Sequence, residues 1–177
     1  ISGLQVDNGR IINFTADDPD AVIEHNPELL MHIFAEASNL QLPLGSDARR
    51  LVAKWGAKFG EVANAPLAVK SFEHVLTAPN GVYNVLNAML NTGLLEKFVP
   101  EYGGITNLIQ YDEYHVYPVA RPSLCTVKAI KDLGTEEDKS SGPLCYEIYK
   151  NLENLQIIFG SALPTDFGKV KNGADQH

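Results

Sequence analysis

Near the C-terminal end of the 177-residue sequence, Thr165 and Asp166 stand side by side within Ala162-Leu163-Pro164-Thr165-Asp166-Phe167-Gly168-Lys169. A carboxylate is a ready ligand for a divalent cation. A threonine hydroxyl, whose pKa lies far above neutrality, is a poor first ligand beside it. A second group, Asp112, Glu113 and His115, has the residue types to hold a metal or move a proton. Tyr111, Tyr114 and Tyr117 recur every third residue through the same stretch, however, and a packing face accounts for the segment better. Ser123 and Cys125 have no sequence partner that would activate a nucleophile. Lys169 and Lys171 have the charge to meet a phosphate, but two lysines in a polar tail read as solvated.

The elements that must position these residues read as helices. Asn8-Gly9 between two apolar runs is the strongest short hairpin signal, because a type I′ turn needs positive φ at both central residues. Asp17, Asp18, Pro19 and Asp20 then supply a helix start, with a capping acceptor, a tolerated proline and carboxylates at the positive end of the dipole. Pro27 restarts helix, with Leu29, Leu30, Ile33, Phe34 and Ala37 at helical spacing and His32 on the flank. Ser46 or Asp47 is the expected cap of a helix carrying Leu51, Val52 and Trp55.

Another helix is expected over 67–77, with Val69, Phe72, Val75 and Leu76 on its apolar side and His74 at the surface. Pro79-Asn80-Gly81 breaks the chain before an amphipathic helix that carries Val82, Val85, Leu86, Met89 and Leu90 and ends near Thr92-Gly93. A short helix over 94–98 stops before Pro100, and another covers about 122–133. The charged run 136–139 reads as solvated loop. Pro143 is expected to open one last long helix with Leu144, Ile148, Leu152, Leu155 and Ile158 as its buried stripe. Pro164, lacking an amide hydrogen, should end it and push Leu163 out of helical geometry. The fold class is therefore all-α, a multi-helix domain with a small N-terminal β-hairpin.

Composition narrows the function classes. With 14 basic against 22 acidic side chains, the formal charge is -8, a field that repels nucleic acid and anionic membranes alike. No apolar run reaches membrane-spanning length, and no signal peptide is visible. Two cysteines, Cys125 and Cys145, are too few for a disulfide framework and read as buried thiols of a cytoplasmic protein. The opening Ile1-Ser2-Gly3 has no methionine and reads as the start of a trimmed segment.

Three stretches together resemble one family. Val22 to Leu30, Gly93-Leu94-Leu95-Glu96-Lys97-Phe98-Val99-Pro100-Glu101-Tyr102-Gly103 and Gln110 to Leu124 are similar to the middle region of bacterial bifunctional PII uridylyltransferase/uridylyl-removing enzymes. The second matches that family's "GVLGRYLPEFG" pattern, and the third its "QHDLYHVYTVDEHTL". In that family a nucleotidyltransferase domain adds UMP to the nitrogen-signalling protein PII, and a metal-dependent HD domain removes it. The resemblance implies a helical linker region over 1–100 and the first, truncated part of an HD-like region over 101–177, the two forming one packed unit.

The resemblance also implies where the HD metal site should fall, and it falls on the wrong residues. Pro122 stands at the position of the family's first histidine ligand. Thr165-Asp166 stands for its His-Asp pair, within a stretch that resembles the "LLHDIGKG" signature of HD-type phosphohydrolases. The "GGDH" segment becomes Gly173-Ala174-Asp175-Gln176-His177, with its histidine replaced by Gln176 or displaced to His177. His115 matches a family histidine outside the metal set. Pro122, Thr165, Asp166 and His177 are thus expected to be remnants of a metal site, with no catalytic residue and no bound cofactor. The implied function is that of a catalytically silent helical module in nitrogen regulation, touching another protein or other domains of a larger polypeptide. Two alternatives stay open: a segment of an active uridylyltransferase whose transfer site lies elsewhere, and a free-standing helical interaction domain.

Overall fold

The computed structural model describes residues 4–9, 11–15, 17–100, 120–135, 140 and 142–163, with side chains described from 123 onward in the second stretch of helix. The chain divides into two compact units, 1–103 and 104–177. The described residues are mostly helical, with a two-stranded hairpin at the N-terminus.

The hairpin joins β1 (Leu4–Asp7) to β2 (Ile11–Phe14). Asn8 and Gly9 take φ of 52° and 66°, the positive values that their dipeptide favours. Asp7 pairs with Ile11, so three residues close the turn rather than two. A lone hairpin is marginal, and this one is fastened to the helices through β2. The Ile12 N–H donates to the Pro43 carbonyl at 3.0 Å, and the Gly45 N–H donates to the Ile12 carbonyl at 2.9 Å. The Ile12 side chain is 1% exposed.

Helix α1 (Pro19–His25) starts as its sequence dictates, with the Asp18 carboxylate accepting from the Ala21 N–H at 3.1 Å and Pro19 in the first turn. Helix α2 (Leu29–Leu40) buries Leu30, Met31, Ile33, Phe34, Ala35 and Ala37, a face wider than the expected stripe because the helices Pro66–Thr77 and Val82–Asn91 pack against it together. Each such large apolar side chain contributes about 1.5–3 kcal/mol on burial. His32 lies on the flank, 4.0 Å from Glu36.

Helix α3 (Ser46–Glu61) is capped differently from the expectation. Its N-cap is Gly45, not Ser46 or Asp47, and the capping acceptor comes from a distant residue: Asn13 Oδ1 accepts the Ala48 N–H at 3.3 Å. The Asn13 amide in turn donates to Asp7 at 2.6 Å. Helix α4 (Pro66–Thr77) buries Phe72, Val75 and Leu76, but Val69 is exposed, since the buried face runs through Ala68, Ser71, Phe72, Val75 and Leu76. His74 is at the surface and meets Asn39.

Gly81 and Gly93, both at φ 76°, precede α5 (Val82–Asn91) and α6 (Leu94–Phe98), where the sequence breaks placed them. Phe98 sits between Phe59 and Phe72, with ring centroids 6.3 Å and 4.4 Å away, and so ties α3, α4 and α6 into one core.

In the second unit, α7 (Ala120–Asp132) packs against α9 (Leu155–Ala162). The expected single long helix is two, α8 (Pro143–Lys150) and α9. Helix α8 closes at Lys150 with Asn151 as its C-cap, and Asn154, left-handed at φ 57°, stands at the N-cap of α9. Its expected stripe is correspondingly lost: Leu144, Ile148 and Leu152 are exposed, whereas Tyr146 and Phe159 are buried. Helix α9 ends at Ala162, yet Leu163 keeps helical angles (φ −60°, ψ −45°) with its side chain 1% exposed. A proline at 164 disfavours those angles without forbidding them. Cys125 and Cys145 are both exposed rather than buried, because the buried positions of α7 and α8 are Ser123, Leu124 and Val127, and Tyr146.

Candidate functional site

Of the four remnant positions, Pro122 is the third residue of α7, and its side chain is outside the described residues. Thr165, Asp166 and His177 lie outside them as well, as do Asp112, Glu113, His115 and the two tail lysines. Among the described residues there is no group of three or more His, Cys, Asp or Glu side chains placed to hold a metal ion. Ser123, one residue after Pro122, is buried at 1% exposure on the inner face of α7.

Lys131, in the last turn of α7, is the one described lysine strongly perturbed by its surroundings. Burial pushes its ammonium down to about 8 from an ordinary value near 10.5. Its Nζ lies 5.2 Å from the centroid of the Phe159 ring. Such a group is chemically reactive above neutral pH, but no carbonyl-binding feature accompanies it among the described residues. Sequence reasoning missed Lys131, whose burial follows from the pairing of α7 with α9.

A second cluster joins α1 to α3 in the first unit. The Asp20 carboxylate accepts from Lys54 Nζ and from Trp55 Nε1, each at 2.6 Å, and these two bonds hold its pKa below the ordinary carboxylate value, Lys54 first. Lys54 and Lys58 also lie over the Trp55 ring, at 5.2 Å and 5.7 Å. The cluster is satisfied internally, and its role is to fasten α1 to α3.

A concave feature of the first unit is a cleft of about 490 Å³ at the C-terminal end of α2, walled by Phe34, Ala37, Leu42, Leu44, Val85 and Ala88. Ser38, Gln41, Arg49 and Asn84 add polar groups to that lining. Its shape follows from the left-handed Gln41 (φ 54°), which turns the chain out of α2 and toward the Leu44 bridge with Ile12. Neither the cleft nor its Ser38 was foreseen, since its walls are apolar positions that each read as ordinary core.

No family model matches the chain, and no solved structure does. Curated proteins do. A bifunctional uridylyltransferase/uridylyl-removing enzyme of Methylococcus capsulatus is 34% identical over 110 residues, 62% of this chain and 12% of its own length. The enzymes of the same name from Bordetella pertussis and Zymomonas mobilis are each 26% identical, over 85% and 98% of this chain and 18% of their own lengths. The chain is a homologue of a segment of these enzymes. It spans no more than about a fifth of the curated relatives it matches. Among the described residues, no helix is long and apolar enough to cross a membrane.

Proposed function

We propose that this chain is a catalytically silent helical module related to the PII uridylyltransferase/uridylyl-removing enzymes, acting through contact with a protein or with other domains in bacterial nitrogen signalling. The observation that carries the reading is Pro122. Proline offers a cation no donor atom, and it stands where the resemblance puts the first imidazole of the HD site, in the first turn of α7. Thr165 fills the second imidazole position, so Asp166 alone retains the expected ligand type, with His177 at best displaced. One carboxylate and one displaced imidazole do not supply the charge and ligand count that a divalent ion needs. The donor set does not fit the metal.

Calorimetry with manganese, magnesium and zinc, beside an assay of bis(p-nitrophenyl) phosphate hydrolysis, tests this reading. The expected result is no micromolar metal affinity and no turnover, with Asp166→Ala indistinguishable from the parent chain. Restoring histidine by Pro122→His and Thr165→His is expected to recover no turnover. Micromolar affinity lost in Asp166→Ala overturns the reading.

A second reading is favoured by the short share of the relatives that the chain spans, 12–20% of their lengths. In it the chain is one segment of a uridylyltransferase whose transfer chemistry lies elsewhere. Finding a nucleotidyltransferase motif encoded just upstream of Ile1 would support that version; finding start and stop codons that flank the 177 residues would support a free-standing module in its place.

A further inference from the structure

We propose that the cleft at the end of α2 binds a small carboxylate with an apolar body, an aryl- or alkyl-substituted carboxylic acid. Its volume of about 490 Å³ lies in the range of small-molecule sites, which are mostly apolar and carry a few placed polar groups. Phe34, Leu42, Leu44, Val85 and Ala88 supply the apolar wall.

Two polar residues select the ligand. Ser38 is 3% exposed, and its hydroxyl has no hydrogen-bond partner. A serine in a helix ordinarily returns its proton to a carbonyl one turn back; this one does not, although it lines the cleft. Buried hydroxyls are almost always paired, and an acceptor bound in the cleft would complete the set.

Arg49 is the second. It lines the same cleft from the first turn of α3, is exposed, and has no ion-pair partner among the described residues. The positive end of the α3 dipole adds to its attraction for an anion. Among the described residues no carboxylate side chain lines the cleft, in a protein whose formal charge is -8. A single guanidinium fits one carboxylate by a two-pronged hydrogen bond. A polyphosphate would call for several cations. The inference is independent of the metal-site reading, because every residue it uses lies in the first unit.

The test is an NMR titration of the full 177-residue chain with 3-phenylpropionate and with its uncharged analogue 3-phenylpropanamide, at low salt. Saturable shifts are expected at the backbone amides of Ser38, Leu42, Asn84 and Val85, with the carboxylate bound roughly fivefold more tightly than the amide, a modest gain because Arg49 is exposed to solvent. Arg49→Gln, at an exposed position that leaves the fold intact, should bring the carboxylate down to the affinity of the amide and leave the amide unchanged. Ser38→Ala should weaken both probes while raising the stability of the ligand-free chain, because it removes an unpaired hydroxyl. Failure of either probe to saturate by about 10 mM, the weak limit of a specific small-ligand site, overturns the proposal. So do equal affinities for the two probes, which would mark the cleft as a socket for an apolar side chain of a protein, and a carboxylate affinity indifferent to Arg49→Gln.

Discussion

Lys131 carries its charge at a cost, since burial beside Phe159 lowers its pKa to about 8 in the folded chain. In the unfolded chain the same ammonium titrates near its ordinary 10.5. Below pH 8 both states hold the proton and the penalty is fully present. Between about 8 and 10.5 the unfolded state binds more protons than the folded one, so stability from this residue rises with pH and levels off above the unfolded value. Tyr149 acts in the opposite sense at the upper edge. Burial raises its phenol pKa, and the folded state then holds its proton longer, so its contribution falls once pH passes about 10. The clean window is therefore pH 8 to 10. Urea unfolding monitored across it should show parental stability gaining on Lys131→Met as pH rises, with the gap between the two narrowing to near zero at the top. A gap that stays constant with pH would mean that Lys131 is not desolvated.

At the scale of elements, the junction of β2 with α3 is built from residues far apart in sequence. Gly45 ends the bridge to Ile12 and begins α3, and a Cβ at that position would overlap the Asn13 side chain, the group that caps the helix. Gly45→Ala should cost about 1–3 kcal/mol by overpacking, and Asn13→Ala about 1 kcal/mol by removal of the cap. The double variant should cost less than the sum, since removing the Asn13 amide makes room for the methyl group. Chemical denaturation of the three variants measures this, and strict additivity would show that the two residues do not share the junction.

Residues that act locally announced themselves in the sequence: Asn8-Gly9 through positive φ, Asp18 and Pro19 through capping, Gly81 and Gly93 at the ends of α5. The Asn13 cap did not, because its partner Ala48 is 35 residues away and nothing in the spacing of either reports the meeting. The break at Asn154 was hidden for another reason. Leucine and isoleucine continue at helical spacing across it, so periodicity argued for continuity, while the non-helical stretch 151–154, ending in left-handed Asn154, separates the two helices. Of the expected metal-site positions, Pro122 was placed on a helix and lies on one, while the spacing of Thr165, Asp166 and His177 falls outside the described residues. The cleft was illegible because Ser38 reads as an ordinary small residue on a helix; only its burial without a partner marks it.

For the whole molecule, the division at 103 and 104 has a thermodynamic consequence. The first unit owns a core of its own, with Phe34, Phe59, Leu86, Met89 and Leu94 all fully buried and the Phe59–Phe98–Phe72 contacts joining three helices. At about a hundred residues it is large enough to bury the surface that independent folding requires. It also contains the hairpin, its Asn13 anchor and every described residue that lines the cleft. A polypeptide of residues 1–103 should therefore fold alone, with helical circular dichroism and one cooperative thermal transition. Helicity without a cooperative transition would mean that this core is completed by residues beyond 103. Retention of the Ser38 and Leu42 shifts with 3-phenylpropionate in the shorter chain would show that the cleft is complete within the first unit.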